Sequence, residues 1–208
     1  MATAYIDTLK GTDFDDIEAF LVDEAEYYMS LWRCPYVWRW AMRWQTIPPD
    51  PSVSSQLFDV MAWSLRLRFW AAFADRSSPA PADVEIFLKY YDPDGSERLP
   101  DSLGLQKGLI GIVNAFADAD YAGSNNVIIA HELLHTLGAT DKYNLQFNDP
   151  LYPDGYANPE AESLYPQRAA EIMDGRIAVS KFESVVPRSL RRVVIGPLTA
   201  VEIGFGQP

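Results

Sequence analysis

The chain has 208 residues, which is enough for one domain with a sizeable core or for two lobes around a cleft. Its formal net charge of −12 argues against nucleic acid as the main partner, because phosphate binding needs a basic surface. The single cysteine, Cys34, excludes an internal disulfide.

Two helices are predicted in the N-terminal half of the chain. The first begins at a capping residue, Thr12 or Asp13, and runs to about Trp32. The second spans Ser54 to Ala74. Its large apolar side chains recur at helical spacing and align as one stripe, formed by Phe58, Met61, Leu65, Phe69 and Phe73.

Between these helices lies a Trp/Arg-rich segment, residues 32–44, which contains no acidic residue. One interpretation is core packing, with arginine stems lying over the aromatic rings. A second is a helix on a membrane surface, because Arg39 with Arg43 and Trp40 with Trp44 repeat at helical spacing. The third is a docking face for an acidic partner.

Two strands are predicted next, at Val84–Tyr91 and at Gly108–Ala117. The acidic residues of Asp92–Gly95 lack the glycine and glutamate spacing of a calcium-binding EF-hand loop, so we predict a plain turn there. Two helices, then two strands, then a further helix and a loop-rich C-terminal part are the predicted order, which favours the α+β class.

A helix is predicted from Val127 to Leu137, with Ser124 or Asn125 as its cap. After it the chain is rich in proline and glycine, which predicts irregular segments of the kind that form functional walls. Three short elements are predicted within this part: a helix at Arg168–Ile172, an extended segment at Val179–Val186, and a helix capped at Thr199–Glu202.

The helix from Val127 to Leu137 carries the only two histidines of the chain, His131 and His135. Residues four apart lie one turn apart on the same helix face, so both imidazoles can reach one metal ion. Glu132 is rotated away from this pair and suits a base that acts on water better than a third ligand. The pattern predicts a catalytic zinc site.

Gly138 can take a positive φ and end the helix. The turn would bring Asp141 back to the metal as a third ligand and leave a fourth position for water. More distant acids remain as alternative third ligands, namely Asp149, Glu160 and Glu162. Of these, Glu160 follows Asn158-Pro159, a pair that could start a helix of its own.

The pattern His-Glu-x-x-His-x-x-Gly-x-x-Asp resembles the metzincin clan of zinc peptidases, in the variant with aspartate as third ligand. Snapalysin-like and immune-inhibitor-like bacterial peptidases are similar here, including the spacing of Asp141 and Tyr143. The clan also has a methionine turn beneath the metal, and Glu171-Ile172-Met173-Asp174-Gly175 matches it, with Met173 as the methionine. The resemblance rests on the metal-binding helix, the turn after it and Met173.

The resemblance implies a twisted mixed sheet with helices behind it, a metal-binding helix and a loop-rich C-terminal lobe. We therefore expect a single metallopeptidase domain over residues 1–208, divided into an N-terminal lobe (1–138) and a C-terminal lobe (139–208) that holds the methionine turn. A protein or peptide substrate would pair with an edge strand, which we place at Gly108–Ala117. Tyr143 would bond a ligand or the reaction's oxyanion, or simply pack.

The alternative is a non-catalytic zinc-binding protein that docks through its Trp/Arg-rich segment. Neither a basic start with an apolar run nor a membrane-spanning run is visible in the sequence. We therefore expect the protein to be cytoplasmic or to be exported by a route that reads no N-terminal signal.

Overall fold

The computed structural model describes residues 2–28, 47–50, 57–74, 82–95, 98–144, 146 and 148–205. The chain has mixed α and β structure in these ranges, which agrees with the predicted α+β class. The helices are α1 (Ala2–Ile6), α2 (Asp15–Tyr27), α3 (Leu57–Ala74), α4 (Ala122–Leu137) and α5 (Pro197–Glu202). The strands are β1 (Glu85–Tyr91), β2 (Leu103–Leu105), β3 (Ile110–Phe116), β4 (Tyr143–Asn144), β5 (Asp149–Pro150), β6 (Ala170–Glu171), β7 (Ile177–Ser180), β8 (Glu183–Val185) and β9 (Val193–Val194).

A three-stranded sheet in the order β1-β3-β2 forms the centre of the fold. Strand β3 pairs in parallel with β1 and antiparallel with β2. The prediction that Gly108–Ala117 is an edge strand is therefore wrong, because β3 is the central strand. It begins only at Ile110, since Gly108 and Leu109 both have positive φ. The three-residue strand β2, which the sequence analysis did not predict, lies at the edge of this sheet.

The two faces of the sheet pack against different helices, because successive side chains of a strand point to opposite sides. Ile110 and Ile112 pack with Trp63 and Leu67 of α3. Val113 packs on the other face in the main core. That core joins α2, α4 and the C-terminal segment through buried apolar side chains that include Ile17, Leu21, Ile129, Leu134, Ile172, Met173 and Ile195.

The first helix differs from its prediction at its start. A 3-10 turn, Gly11–Phe14, precedes α2, and the backbone N–H of Lys10 donates to the Asp13 carboxylate at 2.7 Å. The predicted end at Trp32 and the whole Trp/Arg-rich segment, residues 32–44, lie outside the described residues. The three interpretations of that segment therefore stay predictions.

Helix α3 packs on the sheet through the face opposite to its predicted stripe. Trp63, Leu67 and Ala71 are buried, and the Trp63 indole N–H donates to the Pro49 carbonyl at 2.9 Å. The stripe does form along one side of the helix, but its members are exposed. Such a stripe ordinarily faces a core.

In the part of the chain that the structure describes, no helix combines the length and the apolarity needed to cross a bilayer.

Helix α4 begins at Ala122, earlier than predicted, because a 3-10 turn at Ala119–Tyr121 leads directly into it. The Asp118 side chain caps this turn by accepting from the Asp120 N–H. Asn125 is therefore inside the helix instead of at its cap. Its side chain forms hydrogen bonds with both the N–H and the carbonyl of Phe116, which fixes α4 against the end of β3.

Residues 139–205 contain three small strand pairs, β4-β5, β6-β9 and β7-β8. The predicted helix at Arg168–Ile172 is wrong, because Ala170 and Glu171 form β6 and pair in parallel with β9. The predicted extended segment at Val179–Val186 is a hairpin of β7 and β8. Thr199 is not a cap, since α5 begins after Gly196 with a proline in its first turn.

Candidate metal centre

Helix α4 presents the two histidines side by side at its C-terminal end. The ring centroids of His131 and His135 are 4.7 Å apart, and both side chains are mostly buried, with 15% and 19% of their surface exposed. The helix ends where Gly138 adopts a left-handed conformation with φ of 111°. This conformation favours glycine, as the sequence predicts.

The turn at Gly138 brings Asp141 back to the histidine pair. Its Oδ1 atom lies 3.1 Å from the Nε2 atom of His135 and 3.5 Å from that of His131. The three potential ligand atoms lie within 4.8 Å of one another. Burial opposes ionisation of Asp141, but the two adjacent imidazoles lower the pKa of its carboxyl well below the ordinary value.

Backbone carbonyls set the orientation of both imidazoles. The Nδ1 atom of His131 lies 2.9 Å from the Ile172 carbonyl oxygen, and that of His135 lies 2.8 Å from the Ala139 carbonyl oxygen. A carbonyl only accepts, so the neutral rings carry their hydrogen on Nδ1. Each Nε2 atom faces the Asp141 carboxylate, where it can direct a proton toward that carboxylate or, in the neutral ring, offer a lone pair to a metal ion.

This arrangement fits a small divalent cation. Oδ1 of Asp141 is buried and lacks a hydrogen bond of good geometry among the described residues. Zinc holds nitrogen and oxygen ligands at about 2.1 Å, so neighbouring ligands of a tetrahedral ion lie about 3.4 Å apart. The two Nε2–Oδ1 distances of 3.1 and 3.5 Å are close to that spacing.

The alternative third ligands do not join this cluster. In the described residues the group able to hold a metal consists of His131, His135 and Asp141. Asp149 lies in β5, and the residues around Glu160 and Glu162 form turns and bends without a helix. The structure therefore favours Asp141 over the more distant acids as the third ligand.

Glu132 is buried beside the histidine pair, with 7% of its surface exposed. The backbone of Gly104 lies close by, and the Oε2 atom of Glu132 has no hydrogen-bond partner among the described residues. Burial raises the pKa of Glu132, and the imidazoles of both histidines and the backbone of Gly104 partly offset that rise. A carboxyl in this setting is suited to accept and release a proton.

Strand β2 crosses α4 so closely that residue 104 needs to be glycine. A Cβ atom on Gly104 would lie 2.6 Å from the His135 Cβ atom and would clash with the Glu132 carbonyl oxygen. The edge strand of the sheet is therefore fixed directly beside the candidate metal ligands.

Tyr143 follows Asp141 closely in the chain and begins β4. Burial, together with the carboxylates of Asp141 and Glu132, raises the pKa of Tyr143 to about 12. The hydroxyl therefore keeps its proton at neutral pH.

The predicted methionine turn lies against His131. Met173 is fully buried, and the Lys142 N–H donates to its carbonyl at 3.0 Å. The preceding residue, Ile172, supplies the carbonyl that orients His131. The role of Met173 as the floor of a metal site stays a prediction, but its turn contacts both segments that carry the candidate ligands.

Glu171 holds this turn from within the core. It is fully buried, and its Oε2 atom accepts from the N–H groups of Met173 and Asp174 at 2.6 and 3.0 Å. Its Oε1 atom accepts from the Gly196 N–H and the Thr199 hydroxyl at 3.1 and 2.7 Å. Burial raises the pKa of Glu171, whereas these four donors stabilise its ionised form.

Glu202, at the end of α5, holds the segment that carries Asp141. Its Oε1 atom accepts from the Thr140 hydroxyl at 2.7 Å, and its Oε2 atom accepts from the Thr140 N–H at 2.9 Å. Oε2 also accepts from the buried Lys142 ammonium at 2.8 Å. Both residues that flank Asp141 are therefore tied to one carboxylate, which leaves the Asp141 side chain to face the histidines.

We expect Glu202→Gln to weaken zinc binding about tenfold, because groups that orient metal ligands typically affect affinity by that much or more. The amide cannot accept from all three donors, and Lys142 loses its counter-charge. Competition against a chromogenic chelator measures the affinity. Glu183→Gln, a change at an exposed position, is the matched control and should bind zinc as the unmodified chain does. Equal affinity in both variants would contradict the role assigned to Glu202.

The sequence analysis did not predict the contributions of Gly104, Glu171 and Glu202. Gly104 lies in a strand too short to show alternation. The one local sign that Glu171 is buried in the core is its position as a single charged residue in the apolar run Ala169-Ala170-Glu171-Ile172-Met173. Lys142 and Glu202 are 60 residues apart, so their pairing has no local signal.

Comparisons with protein-family models, with curated proteins and with solved structures find no match for this chain.

Proposed function

We propose that this chain is a zinc-dependent endopeptidase of metzincin type. His131, His135 and Asp141 would hold the zinc, and Glu132 would act as the general base. The observation that carries the proposal is the convergence of two lone-pair Nε2 atoms and a buried carboxylate oxygen on one point, next to a second buried carboxylate.

Three protein ligands are typical of a catalytic zinc site, whereas structural zinc sites usually have four. The Oε2 atom of Glu132 lacks a hydrogen-bond partner among the described residues. A structural site has no use for such an unpaired acid, which costs stability. This favours an enzyme over a non-catalytic zinc-binding protein.

A zinc ion on these ligands would supply Lewis acidity, which polarises a substrate carbonyl and acidifies a water molecule. Glu132 would accept the proton of the attacking water and deliver it to the leaving amine. The Gly104 backbone lies beside Glu132 and would favour the ionised form of its carboxyl, which is the form that accepts a proton. Tyr143, whose hydroxyl keeps its proton at neutral pH, would bond a ligand or the reaction's oxyanion.

The peptide substrate would lie along β2. This strand has one paired neighbour in the described sheet and passes directly over Glu132 and His135. An extended peptide that adds to such an edge would run past the candidate zinc ligands. The edge strand that the sequence analysis placed at Gly108–Ala117 is thereby replaced by β2.

Metal analysis of the purified protein, combined with cleavage of a proteome-derived peptide library, tests the proposal. We expect one zinc per chain, cleavage that stops when phenanthroline removes the metal, and recovery when zinc is added back. Cleavage that continues without metal, or a chain that binds no zinc, would overturn it.

Two variants assign the ligands in the same assay. His135→Ala should lose both zinc and cleavage, because two remaining ligands do not hold the ion. Glu160→Ala removes one of the alternative ligands and should change neither zinc content nor cleavage.

A further inference from the structure

Helix α3 presents a large apolar face away from the rest of the chain that the structure describes. Four side chains define this outer face, with exposed fractions of 82% for Phe58, 59% for Met61, 70% for Leu65 and 67% for Phe69. The opposite side of the helix packs on the sheet. Single exposed apolar residues are common, but an aligned series of this size usually marks an interaction site.

Basic residues border the outer face on both sides. At about 100° per residue, Arg66 and Arg68 lie on opposite edges of the stripe that contains Leu65 and Phe69. Both arginines are exposed, and Arg68 donates to the Lys107 carbonyl, so the exposed Lys107 lies beside it. The one acidic residue of the helix, Asp59, is exposed on the same edge as Arg66, so the two borders together are basic although the whole chain carries a net charge of −12.

We propose that the outer face of α3 docks on the surface of an anionic lipid membrane. Phe58, Met61, Leu65 and Phe69 would enter the boundary between headgroups and acyl chains, with the helix lying parallel to the surface. Arg66 and Arg68 have long stems that let their charged ends reach the lipid phosphates. An apolar stripe with basic borders is typical of helices that lie in this interface.

The charge distribution favours lipid over a second copy of the chain. Two outer faces packed together would place Arg66 and Arg68 of both copies at the borders, with only Asp59 of each copy to oppose them, so the borders would keep an excess of like charge, which is unfavourable. An anionic membrane instead pairs with these borders and repels the acidic remainder of the protein. That repulsion would orient the protein with α3 toward the lipid.

Co-sedimentation of the full chain with vesicles tests this proposal. We expect binding to vesicles of equal parts phosphatidylglycerol and phosphatidylcholine, much weaker binding to phosphatidylcholine alone, and loss of binding as salt rises. The double variant Leu65→Ser, Phe69→Ser should reduce partitioning at least about tenfold. It should keep its thermal unfolding temperature, because both side chains are exposed.

Phe182→Ser is the matched control, since Phe182 is a phenylalanine outside α3 with 87% of its surface exposed. It should bind vesicles as the unmodified chain does. The proposal is overturned if the unmodified chain does not bind anionic vesicles, or if the α3 variant binds them equally well. It is also overturned if Phe182→Ser loses as much binding, or if the chain forms a dimer that only the α3 variant dissociates and that does not bind lipid.

Discussion

Glu132→Gln should lower the rate of peptide cleavage by at least about a hundredfold and leave the zinc content unchanged. General acid–base groups contribute that much or more to catalysis. The amide fills the same volume as the carboxyl, so the fold around the buried side chain should not change. It cannot accept the proton of the attacking water, so the loss should fall on kcat with little change in KM.

Glu183→Gln serves as the control for this experiment, because it makes the same chemical change at an exposed position. Zinc content by mass spectrometry and cleavage rate are measured for both variants. If the Glu132→Gln variant cleaves as fast as the unmodified chain, Glu132 is not the general base. If Glu132→Gln instead loses its zinc, Glu132 helps to hold the ion, and the roles of the ligands need to be reassigned.

Glu171→Gln should lower the free energy of unfolding by about 3 kcal/mol. The carboxylate accepts four hydrogen bonds in the core, from Met173, Asp174, Gly196 and Thr199. An amide of the same size can accept at its oxygen, but its NH2 group would face two donors. Each buried polar group left without a partner costs about 1–3 kcal/mol.

Denaturant unfolding of the metal-free protein measures this change, and Glu183→Gln again provides the exposed comparison. Zinc affinity should fall in the same variant, since the turn that Glu171 holds supplies the Ile172 carbonyl that orients His131. A midpoint within experimental error of the unmodified chain would show that the four contacts contribute little to stability.

The sequence was sufficient to find the candidate metal centre because its parts are local. His131, Glu132 and His135 occupy one helix, and Asp141 follows six residues after His135. Helical periodicity places the two histidines on one face, and the positive φ of Gly138 ends the helix so that the chain brings Asp141 back beside them. The long helices and the two longer strands are also periodic enough to be recognised, although α4 begins earlier than predicted.

The features of the fold that the sequence did not predict depend on contacts between residues that are distant in sequence. The face of α3 that packs inward is selected by Ile110 and Ile112 of the sheet, not by the strongest stripe on the helix. Ala170 and Glu171 have no strand pattern of their own and become β6 only through pairing with β9. Their local sequence would equally suit a helix, which is why the prediction for Arg168–Ile172 is wrong.

Helix α5 reaches both parts of the candidate site, with Thr199 bonded to Glu171 and Glu202 bonded to Thr140 and Lys142. The order of events during synthesis follows from this. A nascent chain can form α4 and the sheet well before residue 202 leaves the ribosome, but it lacks the carboxylate that aligns Asp141. We therefore expect tight zinc loading to be a late step, completed only after α5 has been made and has docked.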